Sequence, residues 1–137
     1  GLSLNREDAV MRYEGGCHCG AVRFAVEAPD SVEVERCNCS ICTKSGFLHL
    51  IVPRSRFELL SGENDLTTYT FNTGVAEHYF CRHCGIKPFY RPRSNPDGMD
   101  INLNCLDQTP PKVTVVELDG QNWEANAATL AHKSVER

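Results

Sequence analysis

Residues 21–27 read Ala-Val-Arg-Phe-Ala-Val-Glu, so Val22, Phe24 and Val26 recur at period two, the pattern of a half-buried β-strand. Pro29 and Asp30 end it. Residues 31–36 alternate again through Val32 and Val34 and run straight into a group of cysteines. An apolar strand is expected over 48–52, stopped by Pro53, and a short one over 57–60 before the turn signal Ser61-Gly62-Glu63-Asn64. Residues 67–72 are rich in β-formers, and Thr73-Gly74 turns the chain into 75–80, which reads as a hairpin that delivers Cys81 at its end. Residues 86–91 and 99–104 flank the polar turn Pro92 to Gly98, and 113–118 form a late strand. Only the tail is expected to be helical: after the break at Asp119-Gly120, Trp123, Ala127 and Leu130 share one side of a short helix. The expectation is an all-β, mainly β domain over 13–118 with a helical tail over 119–137 packing on it.

A chain of 137 residues fits one domain, but short strands bury only a modest core. The formal charge of −4 and the lack of any Lys/Arg run make nucleic acid a poor partner. Apolar runs such as Leu50 to Val52 are far too short to cross a bilayer, and no signal peptide is read before the first cysteines. The informative residues are the cysteines. Seven of eight fall into Cys17-His18-Cys19, Cys37-Asn38-Cys39-Ser40-Ile41-Cys42 and Cys81-Arg82-His83-Cys84. A disulfide framework would spread them along a secreted chain, whereas sulfurs one or two residues apart suit convergence on one ion. Metal binding in a reducing compartment, most simply the cytoplasm, is the expectation.

Ligand counting divides the seven. Gly15-Gly16-Cys17-His18-Cys19-Gly20 and Cys81-Arg82-His83-Cys84-Gly85 are two knuckles, and together they offer the four thiolates of a closed structural zinc. Such a site contributes about 10–16 kcal/mol of apparent binding free energy, as large as the net stability of a typical domain at about 5–15 kcal/mol. Cys37, Cys39 and Cys42 are then three ligands for a second zinc, which leaves one position for substrate; the alternative is a purely structural site completed by His49, His83 or Cys105. His18 and His83 read as exposed or supporting groups, and Cys105 as a small buried hydrophobe.

The motifs from Gly15 to Phe24, Cys37 to Cys42 and Phe80 to Gly85 resemble those of the glutathione-dependent formaldehyde-activating (GFA) family, including its branch with centromere protein V. Tyr69 to Thr73, Phe89-Tyr90, Pro92 to Pro96 and Asn104 to Asp107 match as well. The resemblance implies an Mss4-like β-sandwich of short antiparallel sheets stapled by two zinc ions. It implies that Cys17, Cys19, Cys81 and Cys84 hold a structural ion and Cys37, Cys39 and Cys42 a catalytic one. It also implies carbon–sulfur lyase chemistry that joins glutathione and formaldehyde as S-hydroxymethylglutathione.

On that reading a substrate thiol takes the vacant position and attacks formaldehyde held beside it. Three thiolates on Zn²⁺ leave −1 and a fourth makes −2, so the site needs cations. Lys44 and His49, which follow the triplet closely, are the first candidates for substrate contact; Arg91 and Arg93 border the polar turn, and Phe47 and Tyr90 are candidate pocket walls. The competing functions are a non-catalytic protein-binding module and a thiol or aldehyde carrier.

Overall fold

The computed structural model describes residues 10–71, 74–119 and 133–134. The helix expected on Trp123, Ala127 and Leu130 lies outside the described residues, as do Asn72 and Thr73 of the expected hairpin corner. Among the described residues ten strands form two sheets. The smaller is antiparallel, in the order β1-β2-β5, from β1 (Val10–Gly16), β2 (Arg23–Pro29) and β5 (Phe57–Ser61). The larger has seven strands: β3 (Ser31–Cys37), β4 (Leu48–Pro53), β6 (Leu66–Tyr69), β7 (Glu77–Cys81), β8 (Phe89–Arg91), β9 (Gly98–Asn102) and β10 (Lys112–Leu118). Its order is β10-β3-β4-β9-β8-β7-β6.

The all-β expectation holds, with two corrections. The sheets are not purely antiparallel, because β10 lies parallel to β3 with Val113 beside Val32 and Val115 beside Val34. A helix also occurs where none was expected: α1 (Ser40–Ser45) carries the middle of the cysteine triplet. Its six residues are too few for an apolar period to register, and Ile41 and Thr43 are weak helix formers. The stop signal is nevertheless present, since Gly46 adopts φ 63° as the left-handed C-cap.

Strand ends move for local reasons. Cys17 N–H donates to Val22 O at 3.1 Å, so residues 17–22 are a closed turn and β2 begins at Arg23 rather than Ala21. Pro88 has no N–H for a ladder, and β8 begins only at Phe89. The Asn102 side chain accepts from Asn104 N–H, which ends β9 in a 3-10 turn over Leu103–Cys105, so Cys105 stands outside the strand. Lys133 and Ser134 reach back onto the β domain, at Glu33 and Glu35 and at Asn95 respectively.

Side-chain parity gives the large sheet two different faces. Val34, Leu50, Val52, Phe89, Met99 and Ile101 point to the small sheet and share one core with Tyr13, Phe24 and Val26. Phe24 stacks on Phe57 at 5.9 Å and meets the edge of Phe89 at 5.7 Å, an aromatic contact that joins the two sheets. The opposite parity positions the candidate site. Ile101 is fully buried at the centre of the shared core. Ile101→Ala should therefore lose about 2–5 kcal/mol of unfolding free energy in a denaturant titration; a loss below about 1 kcal/mol would contradict a core shared by both sheets.

Candidate metal and substrate site

Cys17 closes the turn between β1 and β2, and Cys81 ends β7. Gly16 lets the β1–β2 turn close tightly, because a Cβ there would lie 2.2 Å from Val22 O. In the second knuckle Cys81 N–H donates to Ile86 O at 2.9 Å and Gly85 N–H to Cys81 O at 2.8 Å, with Gly85 at φ 78°. Each knuckle aims a backbone N–H at a sulfur: Val22 N to Cys17 Sγ at 3.3 Å and His83 N to Cys81 Sγ at 3.4 Å. The four sulfurs of Cys17, Cys19, Cys81 and Cys84 all lie within 4.8 Å of one another. Cys19 Sγ stands 3.6 Å from both Cys17 Sγ and Cys81 Sγ. A tetrahedron with zinc–sulfur bonds of about 2.3 Å has edges of about 3.8 Å, so the donor set fits that ion.

The second group is built on one continuous stretch. Cys37 is the last residue of β3, Cys39 is the N-cap of α1, and Cys42 lies buried inside it. The Cys39 carbonyl accepts from Thr43 N–H at 3.0 Å, so the helix itself turns Cys39 and Cys42 toward Cys37. Their three sulfurs also lie within 4.8 Å of one another, and among the described residues no fourth cysteine, histidine or carboxylate joins that set. The thiols compete for charge. Hydrogen bonds from Cys37 and then Cys42 hold Cys39 far below the usual thiol range, while hydrogen bonding with Cys37 and then Cys39 pushes Cys42 far above it. Only a cation lets all three ionise together, which is the chemistry of a metal site.

The large sheet's outer parity carries a polar row past these sulfurs. His49 pairs across the strands with Asn102 and stands opposite Glu35 on β3. Asp100 on β9 faces Tyr90 on β8, and Tyr90 faces His78 on β7. Glu35, His49, His78 and Asp100 are all at most 4 % exposed. They line, with the cysteine triplet and Tyr90, a cavity of about 900 Å³. Among the described residues three buried side-chain atoms have no hydrogen-bond partner: Glu35 Oε1, His78 Nε2 and Asp100 Oδ1. All three belong to residues lining this one cavity. An orphaned buried polar atom costs about 1–3 kcal/mol, and three around one cavity mark a place built for something polar.

His49 Nδ1 donates to Asp100 Oδ2 at 2.6 Å, so its Nε2, 3.2 Å from Cys42 Sγ, is placed to accept the Cys42 thiol proton. His49 thus touches a sulfur of the triplet but stands outside the mutually close set of three. Lys44 is exposed at the cavity rim, and Arg93 lines the same cavity. Tyr90 is a buried cavity wall; Phe47, also buried, packs on Tyr90 at 5.2 Å. His83 is away from the triplet, bonded to Asp65 at 2.8 Å, and Cys105 has Cys17 and Cys84 as its charged neighbours.

Sequence reasoning missed a buried cation beside the site. Lys87 is only 9 % exposed, lies 4.1 Å over the Tyr90 ring, and donates to His78 Nδ1 at 2.7 Å. Burial lowers its pKa to about 8, against the pull of Cys42, Asp100 and Cys39. The available signal was a lysine between a metal knuckle and a proline, at Gly85-Ile86-Lys87-Pro88, where a solvated lysine is the ordinary expectation.

A family model described as glutathione-dependent formaldehyde-activating enzyme matches residues 12–123. A Halomonas elongata protein, provisionally named glutathione-dependent formaldehyde-activating enzyme, is 34% identical over 82 residues, 54% of this chain and 52% of that one. The chain thus spans about half the length of this curated relative. A crystal structure of a Rhodobacter sphaeroides protein is similar with a TM-score of 0.64 and 33% identity, covering 75% of this chain and 99% of that one. Among the described residues no helix is long and apolar enough to cross a membrane.

Cys105 supplies a test of the division of the eight free cysteines. Burial, then the sulfurs of Cys17 and Cys84, pushes its thiol up to about 11. At pH 8 only about one Cys105 in a thousand is ionised. Iodoacetamide should leave it unmodified in the metal-loaded protein, as read by peptide mass spectrometry; rapid labelling of Cys105 would place it in a different setting.

Proposed function

Because the chain belongs to the glutathione-dependent formaldehyde-activating family, we propose that it is a zinc-dependent carbon–sulfur lyase. It joins a thiol such as glutathione to formaldehyde, and splits the hydroxymethyl adduct in reverse. Cys17, Cys19, Cys81 and Cys84 would hold a structural ion, and Cys37, Cys39 and Cys42 a second one that leaves room for a substrate sulfur beside them. Zinc bound there keeps sulfur as thiolate and supplies Lewis acidity.

The observation that carries this reading is the three-sulfur group opening onto the cavity, with no fourth ligand in its set among the described residues. The cavity's volume of about 900 Å³ lies within the range of small-molecule sites, about 300–1,000 Å³. The chain's other residues have tasks consistent with it. His49, held by Asp100, orients Cys42 through its Nε2. Lys87 offsets the negative charge of the sulfurs from inside, and Lys44 and Arg93 on the cavity wall suit the carboxylates of a peptide thiol. A reducing cytoplasm, which keeps the thiols free, belongs to the same reading.

A protein-binding module needs no open position on its second ion, so the sulfur count favours the lyase over that alternative. A Cys–His–Asp nucleophile triad, which Cys42, His49 and Asp100 resemble in geometry, is disfavoured because Cys42 belongs to the mutually close set of three sulfurs, and a sulfur committed to a metal is not a free nucleophile.

Elemental analysis should return two zinc ions per chain. Cys39→Ser should lower the exchange of formaldehyde into the glutathione adduct at least about 100-fold while circular dichroism stays native. Cys84→Ser should lose the fold. Equal loss of structure in both variants would make the triplet structural and end the lyase reading.

A further inference from the structure

The Lys87–His78 pair is a second chemical device at the site: His78 lines the cavity with Lys87 behind it, and the sulfur chemistry above uses the charge of Lys87 but leaves the ring unused. Lys87 Nζ donates to His78 Nδ1 at 2.7 Å. An imidazole that accepts at Nδ1 carries its single proton on Nε2. That Nε2 is buried and has no hydrogen-bond partner, on a ring that lines the same cavity as the three cysteines. The ring is clamped in orientation. Tyr90 stacks on it at 4.7 Å and 10°, and Phe71 at 5.4 Å and 23°. Lys87 is fixed as well: its carbonyl accepts from Asn102 Nδ2 at 3.2 Å, and its ammonium lies 4.1 Å over Tyr90 and 4.9 Å over Phe47.

We propose that His78 Nε2–H is the donor for the aldehyde oxygen, and that Lys87, acting through the imidazole, supplies the proton which that oxygen takes up. The inference rests on the thiol–aldehyde reading above and assigns its oxygen side. As the sulfur lone pair forms the C–S bond, the carbonyl π pair moves onto oxygen. The oxygen takes the Nε2 proton of His78 as Nδ1 takes a proton from Lys87; once the adduct leaves, Nδ1 returns its proton to Lys87 and Nε2 takes one from water in the cavity, which restores both groups. That last proton balances the one released when the substrate thiol ionised. Cleavage of the adduct runs the same transfers backwards.

The electrostatics agree with the geometry. Burial, then Lys87, lowers the His78 pKa to about 4, so the ring stays neutral and keeps one N–H rather than two. Lys87, brought to about 8 by burial, is a far stronger acid than the hydroxyl it would form, so the transfer is downhill. The neutral phenol of Tyr90, whose pKa burial raises, separates this pair from His49 without offering a competing base.

The test uses the full zinc-loaded chain with glutathione and formaldehyde. The assay is the rate of ¹³C exchange between free formaldehyde and the adduct. His78→Phe preserves the ring stack and deletes both nitrogens; Lys87→Met preserves the stem and deletes the charge. Each should lower kcat at least about 30-fold with KM changed less than about threefold, the split expected for a group that acts on the transition state. Long-range ¹H–¹⁵N spectra should show the wild-type His78 protonated on Nε2, with that proton moving downfield when adduct binds. In Lys87→Met the His78 pattern should become a tautomer mixture while His49, held by Asp100, keeps its own. A His78 protonated on Nδ1, an Nε2 proton unmoved by adduct, or an unchanged kcat in His78→Phe would overturn the proposal. If either variant misfolds, the wild-type spectra decide. A wild type that does not accelerate exchange would overturn the lyase reading instead, and the response of the Nε2 proton to added adduct would still judge the donor assignment.

Discussion

Seven thiols gathered into two groups, each with its sulfurs within 4.8 Å of one another, cannot all ionise unless a cation sits among them. The rest of the architecture follows from that constraint. The four-sulfur group ties the β1–β2 turn to the end of β7, two points more than sixty residues apart that belong to different sheets. A core assembled from short strands gains from such a staple what it lacks in apolar area. The three-sulfur group ties nothing distant. It sits within one stretch from β3 through α1, and its sulfurs face a cavity rather than the core. Two clusters of the same chemistry thus differ in what they join, and the proposed division into a staple and a working site rests on that difference.

The seven-stranded sheet connects the two. One parity of its strands, through Val34, Leu50, Ile101 and Phe89, closes the core against the small sheet. The other, through Glu35, His49, Asp100, Tyr90 and His78, brings polar groups beside the triplet. Burying these groups is costly, and most of the cost is met by pairing: His49 with Asp100, Lys87 with His78, and Glu35 with Lys133. What the pairing leaves over is one donor and two acceptors around the cavity. Unsatisfied groups in an otherwise well-paired structure are the places where a ligand contributes most.

The division of cysteines was legible because metal geometry demands short spacings, and CxC, CxCxxC and CxxC are short in sequence as well as in space. The strands were legible through period two, apart from their ends. β1 was not, since Val10, Met11 and Arg12 are exposed and the strand presents no apolar alternation there. The supporting residues were hidden for a different reason. His49 stood out by its place just after the triplet, but Glu35 and Asp100 occupy the alternate positions of half-apolar strands, where polar residues ordinarily meet water; nothing local reveals that this face is covered too. Lys44 follows the triplet in sequence and reaches only the cavity rim, whereas Lys87 arrives from behind the Cys81–Cys84 knuckle through pairings that no local pattern encodes.

The central claim is an incomplete sulfur tripod that a substrate thiol completes. X-ray absorption at the zinc edge of the loaded protein, recorded with and without glutathione, tests it directly. Averaged over two ions, the sulfur count should rise from about 3.5 to about 4 when the thiol is added, with loss of one lighter ligand at the second ion. A count that does not change, because a side chain of the protein already fills the fourth position, would contradict the account.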